Sequence, residues 1–197
     1  VLIENATGKL RAMVGSRNYF EAKSGQVNGA WASRSAGSTF KPFTYLLALE
    51  LGMTPATVIA DVPTDFATST GIFSPQNFDH RFAGPVSIRD ALANSLNVPA
   101  VKALDQIGGA KVLQTRLRQC GLTTLNAEAA HYGLGLTIGN AEARLLELAN
   151  AYATLARLGV HRPVRFLESD AGEPTRVFDA AHAWLLVDIL ADNRARA

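Results

Sequence analysis

The sequence predicts a mixed α/β domain, and three observations carry that reading. Short β-type runs open the chain at residues 1–4 and 9–14. Apolar residues then recur at helical spacing in several separate stretches, first from Phe43 and again between residues 87 and 158. The 197 residues are 48% hydrophobic and 18% charged, enough for one sizeable core and unlike a disordered chain.

The two opening runs are separated by Asn5-Ala6-Thr7-Gly8, a turn composition that joins antiparallel neighbours. Residues 15–28, rich in Gly, Ser and Asn, read as a loop, and a short helical piece at 30–33 leads into Gly37. Phe43, Leu46, Leu47 and Leu51 recur on one face of an amphipathic helix. Residues 54–86 hold Pro55, Pro63, Pro75 and Pro85 with Phe66, Phe73, Phe78 and Phe82. Prolines at that density rule out a long helix, and the phenylalanines predict an irregular loop packed onto the body of the domain, either walling a cleft or serving as a packed connector with no role in binding.

Helices dominate next. Ser87 with Asp90 resembles a capping arrangement for a helix at 88–94, and Asn97 and Pro99 cap and open a second one through Ile107. A third runs over 110–120 and stops at Gly121. Residues 122–137 read as a glycine-bearing loop, and 140–158 as a strongly apolar core helix ended by Gly159. Short strands at 164–167 and 176–178 flank the turn at 170–174, and Asp179 caps a last helix reaching Ala191.

Composition excludes several functions. A net charge of +2 with scattered Lys and Arg gives no focused basic patch, so no nucleic-acid partner is expected. No apolar run approaches membrane-spanning length, and no signal segment is recognisable. The opening Val1-Leu2-Ile3, already strand-like, reads as a start inside a larger protein. Cys120 continues the stripe Val112, Leu113, Leu117 and reads as a buried, inert thiol. His80, His131, His161 and His182 form no metal-spaced pair, so neither a metal nor another cofactor is called for.

The stretch that carries chemistry is Gly37-Ser38-Thr39-Phe40-Lys41-Pro42-Phe43. Pro42 lacks an N–H, which is harmless in a first helical turn and damaging further in, so Ser38 and Lys41 fall at the front of the helix. Lys41, three residues on, projects from the same face as Ser38. The geometry suits a serine nucleophile with a lysine base, provided burial lowers the lysine pKa by roughly three units, about 4 kcal/mol of differential solvation. A helix cap with a solvated lysine is the plain alternative. A second candidate element is Ser95-Leu96-Asn97, a serine and an amide on a tight helix-to-helix corner, which as isolated residues read as simple caps. Two look-alike strings, Ser16-Arg17-Asn18 and Lys23-Ser24-Gly25, lie in the loose connector and are set aside.

Taken together, four strings resemble the transpeptidase domain of class A penicillin-binding proteins. They are the Ser38 stretch, Pro75-Gln76-Asn77-Phe78-Asp79, Gly84-Pro85-Val86-Ser87-Ile88-Arg89-Asp90-Ala91-Leu92 and Asn94-Ser95-Leu96-Asn97-Val98-Pro99-Ala100. Gly133-Leu134-Gly135-Leu136 and Leu146-Glu147-Leu148-Ala149-Asn150-Ala151-Tyr152-Ala153 extend the match. The early text Val14-Gly15-Ser16-Arg17-Asn18-Tyr19 and Gln26-Val27-Asn28-Gly29-Ala30 is similar to the 1C branch of that family.

The resemblance implies the penicillin-binding protein/serine β-lactamase-like fold, a five-stranded antiparallel sheet beside an all-helical subdomain with the serine helix at their junction. It implies acyl transfer from D-alanyl-D-alanine stem peptides of peptidoglycan, and covalent acylation by β-lactams. Ser38 would be the nucleophile, Lys41 its base, Ser95 a proton relay and Asn97 the amide that orients Lys41 and binds the substrate backbone. It also implies an upstream glycan polymerase domain and a single anchoring helix that holds the parent protein at the periplasmic face of the bacterial inner membrane.

The family's third motif, Lys-Ser/Thr-Gly on a strand after the helical subdomain, has no counterpart after Ser95. Such a strand supplies one oxyanion donor, and losing a donor of that kind raises the barrier by about 2.7 to 4 kcal/mol. The chain is therefore expected to be a truncated, soluble piece, catalytically poor alone, whose uncovered strand edges invite self-association. A non-catalytic binding module and a serine β-lactamase or sensor relative are the alternative readings.

Overall fold

A computed structural model describes residues 1–68 and 71–196. The chain opens with β1 (Leu2–Ile3) and β2 (Leu10–Ala12), paired antiparallel as the turn composition predicts. The connector that follows is loop, as expected, but the piece predicted as helical at 30–33 is a turn leading into β3 (Ser33–Ser35). Ser33-Arg34-Ser35 has no apolar alternation to mark a strand. Its partner lies more than a hundred residues away.

A 3-10 turn at Gly37–Phe40 runs directly into α1 (Lys41–Glu50), with Pro42 in the first turn where its missing N–H has no consequence. This helix is buried all round from Lys41 to Leu49, whereas the sequence predicts one apolar face; Leu51, assigned to that face, is the exposed C-cap. A helix apolar on every side belongs in the middle of a core, and α1 packs against most of the helices described below.

The Pro- and Phe-rich segment departs furthest from expectation. It forms β4 (Val58–Asp61), β5 (Phe66–Thr68), β6 (Gly71–Phe73) and β7 (Gly84–Ser87), with β4 paired to β7 and β5 to β6. Phe66 and Phe73 face each other across the inner pair with ring centroids 6.4 Å apart, while Phe78 is 99% exposed rather than packed down. Phenylalanines here serve a ribbon, not a plug.

Ser87 caps α2 (Ile88–Ala93), its hydroxyl accepting from the Asp90 N–H. The chain then turns through Asn94 and Ser95 into α3 (Asn97–Gln106), where Leu96 holds the N-cap position and Asn97 is already the first helical residue. α4 (Ala110–Gln119) carries the stripe that ends at Cys120, whose thiol is buried and pushed up to about 12 by burial. The predicted loop 122–137 contains α5 (Ala129–Tyr132) and the start of a 3-10 helix, Gly133–Ile138.

β8 (Glu142–Arg144) pairs with β3, so α6 (Leu145–Ala156) starts later than the predicted 140. The late strands also shift. β9 (Val160–His161) pairs with β10 (Thr175–Arg176), and of the predicted strand at 164–167 only Arg165 pairs, in an isolated bridge with Lys9. Asp179 caps α7 (Ala180–Ala191), accepting from the N–H groups of Ala181 and His182. Among the described residues the strands form separate two-stranded antiparallel pairs around one helical core, a mixed α/β architecture as expected.

Candidate active site

Lys41, at the first position of α1, is 1% exposed. Its Nζ donates to Asn97 Oδ1 at 2.6 Å, to Ser95 Oγ at 3.1 Å and to the Ser95 carbonyl. Three N–H groups thus meet three acceptors, the full complement of an ammonium. Among the described residues no carboxylate pairs with it. Burial without a counter-charge pushes the Lys41 pKa down to about 8.

The corner between α2 and α3 supplies those acceptors. Ser95 has φ 54, the left-handed region that a non-glycine residue enters at a cost of roughly 1–2 kcal/mol. In this conformation its carbonyl and its hydroxyl both reach Lys41. Asn97 is held by two adjacent residues of the 74–83 segment. Its Nδ2 donates to the Gln76 carbonyl at 2.7 Å, and its main-chain N–H donates to Asn77 Oδ1 at 2.8 Å. One Nδ2 hydrogen has no partner among those hydrogen bonds.

Ser38 sits in the 3-10 turn one helical turn before Lys41, is exposed, and accepts the Lys41 main-chain N–H through its carbonyl. Among the described residues its hydroxyl makes no hydrogen bond, so three of the four predicted residues are in contact and the fourth stands beside them at the surface. The turn is fixed from behind. Tyr152 donates to the Thr39 carbonyl at 2.9 Å, Ser35 donates to the Gly139 carbonyl at 2.9 Å, and Gly139 lies against the Gly37 backbone so closely that a Cβ there would fall 2.2 Å from Gly37 N.

The look-alike strings stay apart from this cluster. Ser16 donates to the Gly25 carbonyl at 2.5 Å inside the connector, joining the two strings to each other. A cavity of about 770 Å³, lined by Phe73, Asp105, Lys111, Tyr132 and Asn140 among others, includes neither Ser38 nor Lys41. Residues that sequence reasoning left without a role are Asp61, Asn77, Gly139 and Tyr152. Asn77 stands in one of the strings that carry the resemblance, which is the one signal that could have drawn attention to it.

The description "Penicillin binding protein transpeptidase domain" matches over residues 1–197. The chain belongs to the penicillin-binding protein transpeptidase family. It is 35% identical to Penicillin-binding protein 1C of Escherichia coli (strain K12) over 195 residues, 98% of this chain and 25% of that protein. It is 36% identical to Penicillin-binding protein 1A of Aquifex aeolicus (strain VF5) over 182 residues, 91% of this chain and 24% of that protein. The chain therefore spans about a quarter of the length of these curated relatives. A crystal structure of Penicillin-Binding Protein 1A from Haemophilus influenzae matches with a TM-score of 0.76 at 24% identity, covering 92% of this chain and 32% of that one. At that identity the likeness speaks for the fold of this transpeptidase-family chain, a mixed α/β one. No helix among the described residues is long and apolar enough to cross a membrane.

Proposed function

We propose that this chain carries the acylation machinery of a peptidoglycan transpeptidase, with Ser38 as nucleophile, Lys41 as base, Ser95 as proton relay and Asn97 as orienting amide. The observation that supports this reading most directly is the buried, uncompensated Lys41 held by Ser95 and Asn97 beside an exposed Ser38. A lysine dehydrated by its surroundings is poised to lose its proton, which a solvated surface lysine is not.

In the first step, neutral Lys41 takes the Ser38 proton as Oγ attacks the carbonyl of the penultimate D-alanine of a stem peptide. With Lys41 Nζ donating to Ser95 Oγ, the single lone pair of the neutral amine stays free for the Ser38 proton, and the Ser95 O–H is free to donate onward. The proton then passes from Lys41 through Ser95 to the leaving nitrogen, the C–N bond breaks, and D-alanine departs. The amine of a second stem attacks the Ser38 ester, restores the serine hydroxyl and forms the crosslink. The second Nδ2 hydrogen of Asn97 would donate to a substrate backbone carbonyl.

A β-lactam would follow the first step and stop at the ester. The whole protein is taken to be bifunctional, anchored in the inner membrane by a segment outside this sequence, with stem peptides and β-lactams as ligands. A strand bearing the third motif is taken to complete the oxyanion site, so this stretch alone would be a poor catalyst and prone to self-association.

The test is to incubate the full-length protein, which is taken to include the third-motif strand, with a labelled penicillin and to map the adduct by mass spectrometry. One stable adduct on Ser38, absent in Ser38→Ala, is the expected result. Rapid release of the opened β-lactam would favour a β-lactamase instead, and no adduct on folded protein would favour a binding module.

A further inference from the structure

Behind the Lys41 cluster lies a second buried polar group whose residues the proposed mechanism does not use. Asp61, the last residue of β4, is fully buried, and Asn77 is 3% exposed. The Asn77 amide donates through Nδ2 to Asp61 Oδ1 at 3.0 Å, to Asp61 Oδ2 at 2.8 Å and to the Arg81 carbonyl at 2.8 Å. Asp61 Oδ2 also accepts the Ala83 N–H at 2.8 Å. On its other side, Asn77 Oδ1 accepts the N–H of Asn97 at 2.8 Å.

The charge at Asp61 is expensive to bury, and among the described residues no cation pairs with it. Its titratable and charged neighbours are few. Tyr45 of α1 lies close enough for the Asp61 charge to oppose its ionisation, and Lys102 of α3 spends its ammonium on the Ala60 carbonyl at 2.6 Å. Tying down a loop would need only a neutral amide or hydroxyl in this place. What a carboxylate adds is direction: it accepts and cannot donate, so the nitrogen side of the Asn77 amide must face it. The oxygen side is then forced toward α3.

We propose that Asp61 and Asn77 are positioning residues for the Lys41–Asn97 pair. Asp61 selects which way the Asn77 amide faces, and Asn77, with the adjoining Gln76 carbonyl, holds both the main chain and the side chain of Asn97. With Nδ2 on Gln76, Asn97 has its Oδ1 turned to Lys41. The chain of contacts runs from a buried carboxylate through two amides to the base, and each amide has only one orientation that satisfies both neighbours. Among the described residues neither side chain hydrogen-bonds to Ser38. The inference rests on the catalytic reading of Lys41 given above.

The experiment measures acylation of Ser38 by a fluorescent penicillin in the full chain as it occurs in the cell, for the wild type, Asn77→Ala and Asp61→Asn, across pH. The readouts are the limiting rate per labelled site and the pH of the rising limb. Both are taken per active site and so do not move with the folded fraction. Loss of the Asn97 acceptor removes support from the Lys41 ammonium, so in both variants the limb should move to lower pH, by on the order of one unit. The limiting rate should drop between ten- and a hundredfold through misplacement of the base.

A limb and rate per site equal to wild type in both variants would overturn the proposal and leave Asp61 and Asn77 as fold-holding residues. A limb that moves in Asp61→Asn alone would overturn it too, because loss of a nearby charge accounts for that without any positioning. If Asn77→Ala does not fold, Asn77→Ser, whose single oxygen on a shorter side chain replaces the two separate amide atoms that reach Asp61 and Asn97, takes its place with the same expectations. A wild type that acquires no label at Ser38 defeats the catalytic reading itself, and the positioning role falls with it.

Discussion

Lys41 Nζ and Asn97 Oδ1 lie 2.6 Å apart, which ties the first residue of α1 to the first residue of α3. Two helix starts are thereby locked together through side chains rather than through backbone. At a pKa of about 8, Lys41 is neutral in roughly one molecule in ten at pH 7. Acylation of Ser38 by a penicillin should therefore rise about tenfold between pH 7 and pH 9.5 and level off above it. Stopped-flow or quenched labelling across pH checks this. Lys41→Arg, which cannot lose its proton in that range, should show no such limb.

The same shift makes a stability statement. Lys41 titrates at about 8 in the folded chain against 10.5 as its ordinary value, so between those values the unfolded chain binds more protons and stability rises with pH. The penalty is fully present below pH 8. Denaturant unfolding of the wild type and Lys41→Met, compared at pH 7 and pH 10.5, should show the wild type gaining on the order of 2–3 kcal/mol relative to the variant. Other titrating groups cancel in the difference.

Why some of this was legible in the sequence and some was not follows from distance along the chain. Ser38, Lys41 and Pro42 are local, and the turn and helix they predict depend on neighbouring residues alone. Ser95 and Asn97 are marked by a short link between two helical stretches. Asp61 and Asn77 are 16 residues apart, and Asn77 and Asn97 are 20 apart, so no periodicity connects them. Strands of two to four residues such as β5 and β6 are too short for alternation to register, which is why Phe66 and Phe73 suggested packing onto the core and instead face each other. Ser33–Ser35 is exposed and polar throughout, and it becomes a strand only because residues 142–144 come alongside.

Tyr45 offers a stability test unrelated to catalysis. It is fully buried on α1, its hydroxyl has no hydrogen-bond partner among the described residues, and burial first, with the nearby Asp61 charge second, raises its pKa. A buried hydroxyl without a partner costs about 1–3 kcal/mol of desolvation. Tyr45→Phe removes that hydroxyl and keeps the ring, so it should stabilise the chain by about 1 kcal/mol, seen as a higher denaturant midpoint at unchanged slope. A lower midpoint would mean that the hydroxyl is satisfied in solution.

Gly139 sets the turn that presents Ser38. Its φ of 91 lies in the left-handed region, and an added Cβ would fall 2.2 Å from Gly37 Cα and N and 2.3 Å from Gly37 O, all of them backbone atoms. Gly52 has a similar φ of 94 but open space where its Cβ would stand. The two glycines separate backbone strain from collision. Gly52→Ala should cost about 1–2 kcal/mol, the strain alone. Gly139→Ala adds overpacking of about 1–3 kcal/mol and must push the Gly37–Phe40 turn away from the 3-10 helix behind it. Because Ser38 rides on that turn, its penicillin acylation rate per folded molecule should fall in Gly139→Ala and stay at the wild-type value in Gly52→Ala. Equal rates in the two variants would mean that the turn keeps its place without the close approach of Gly139 to Gly37.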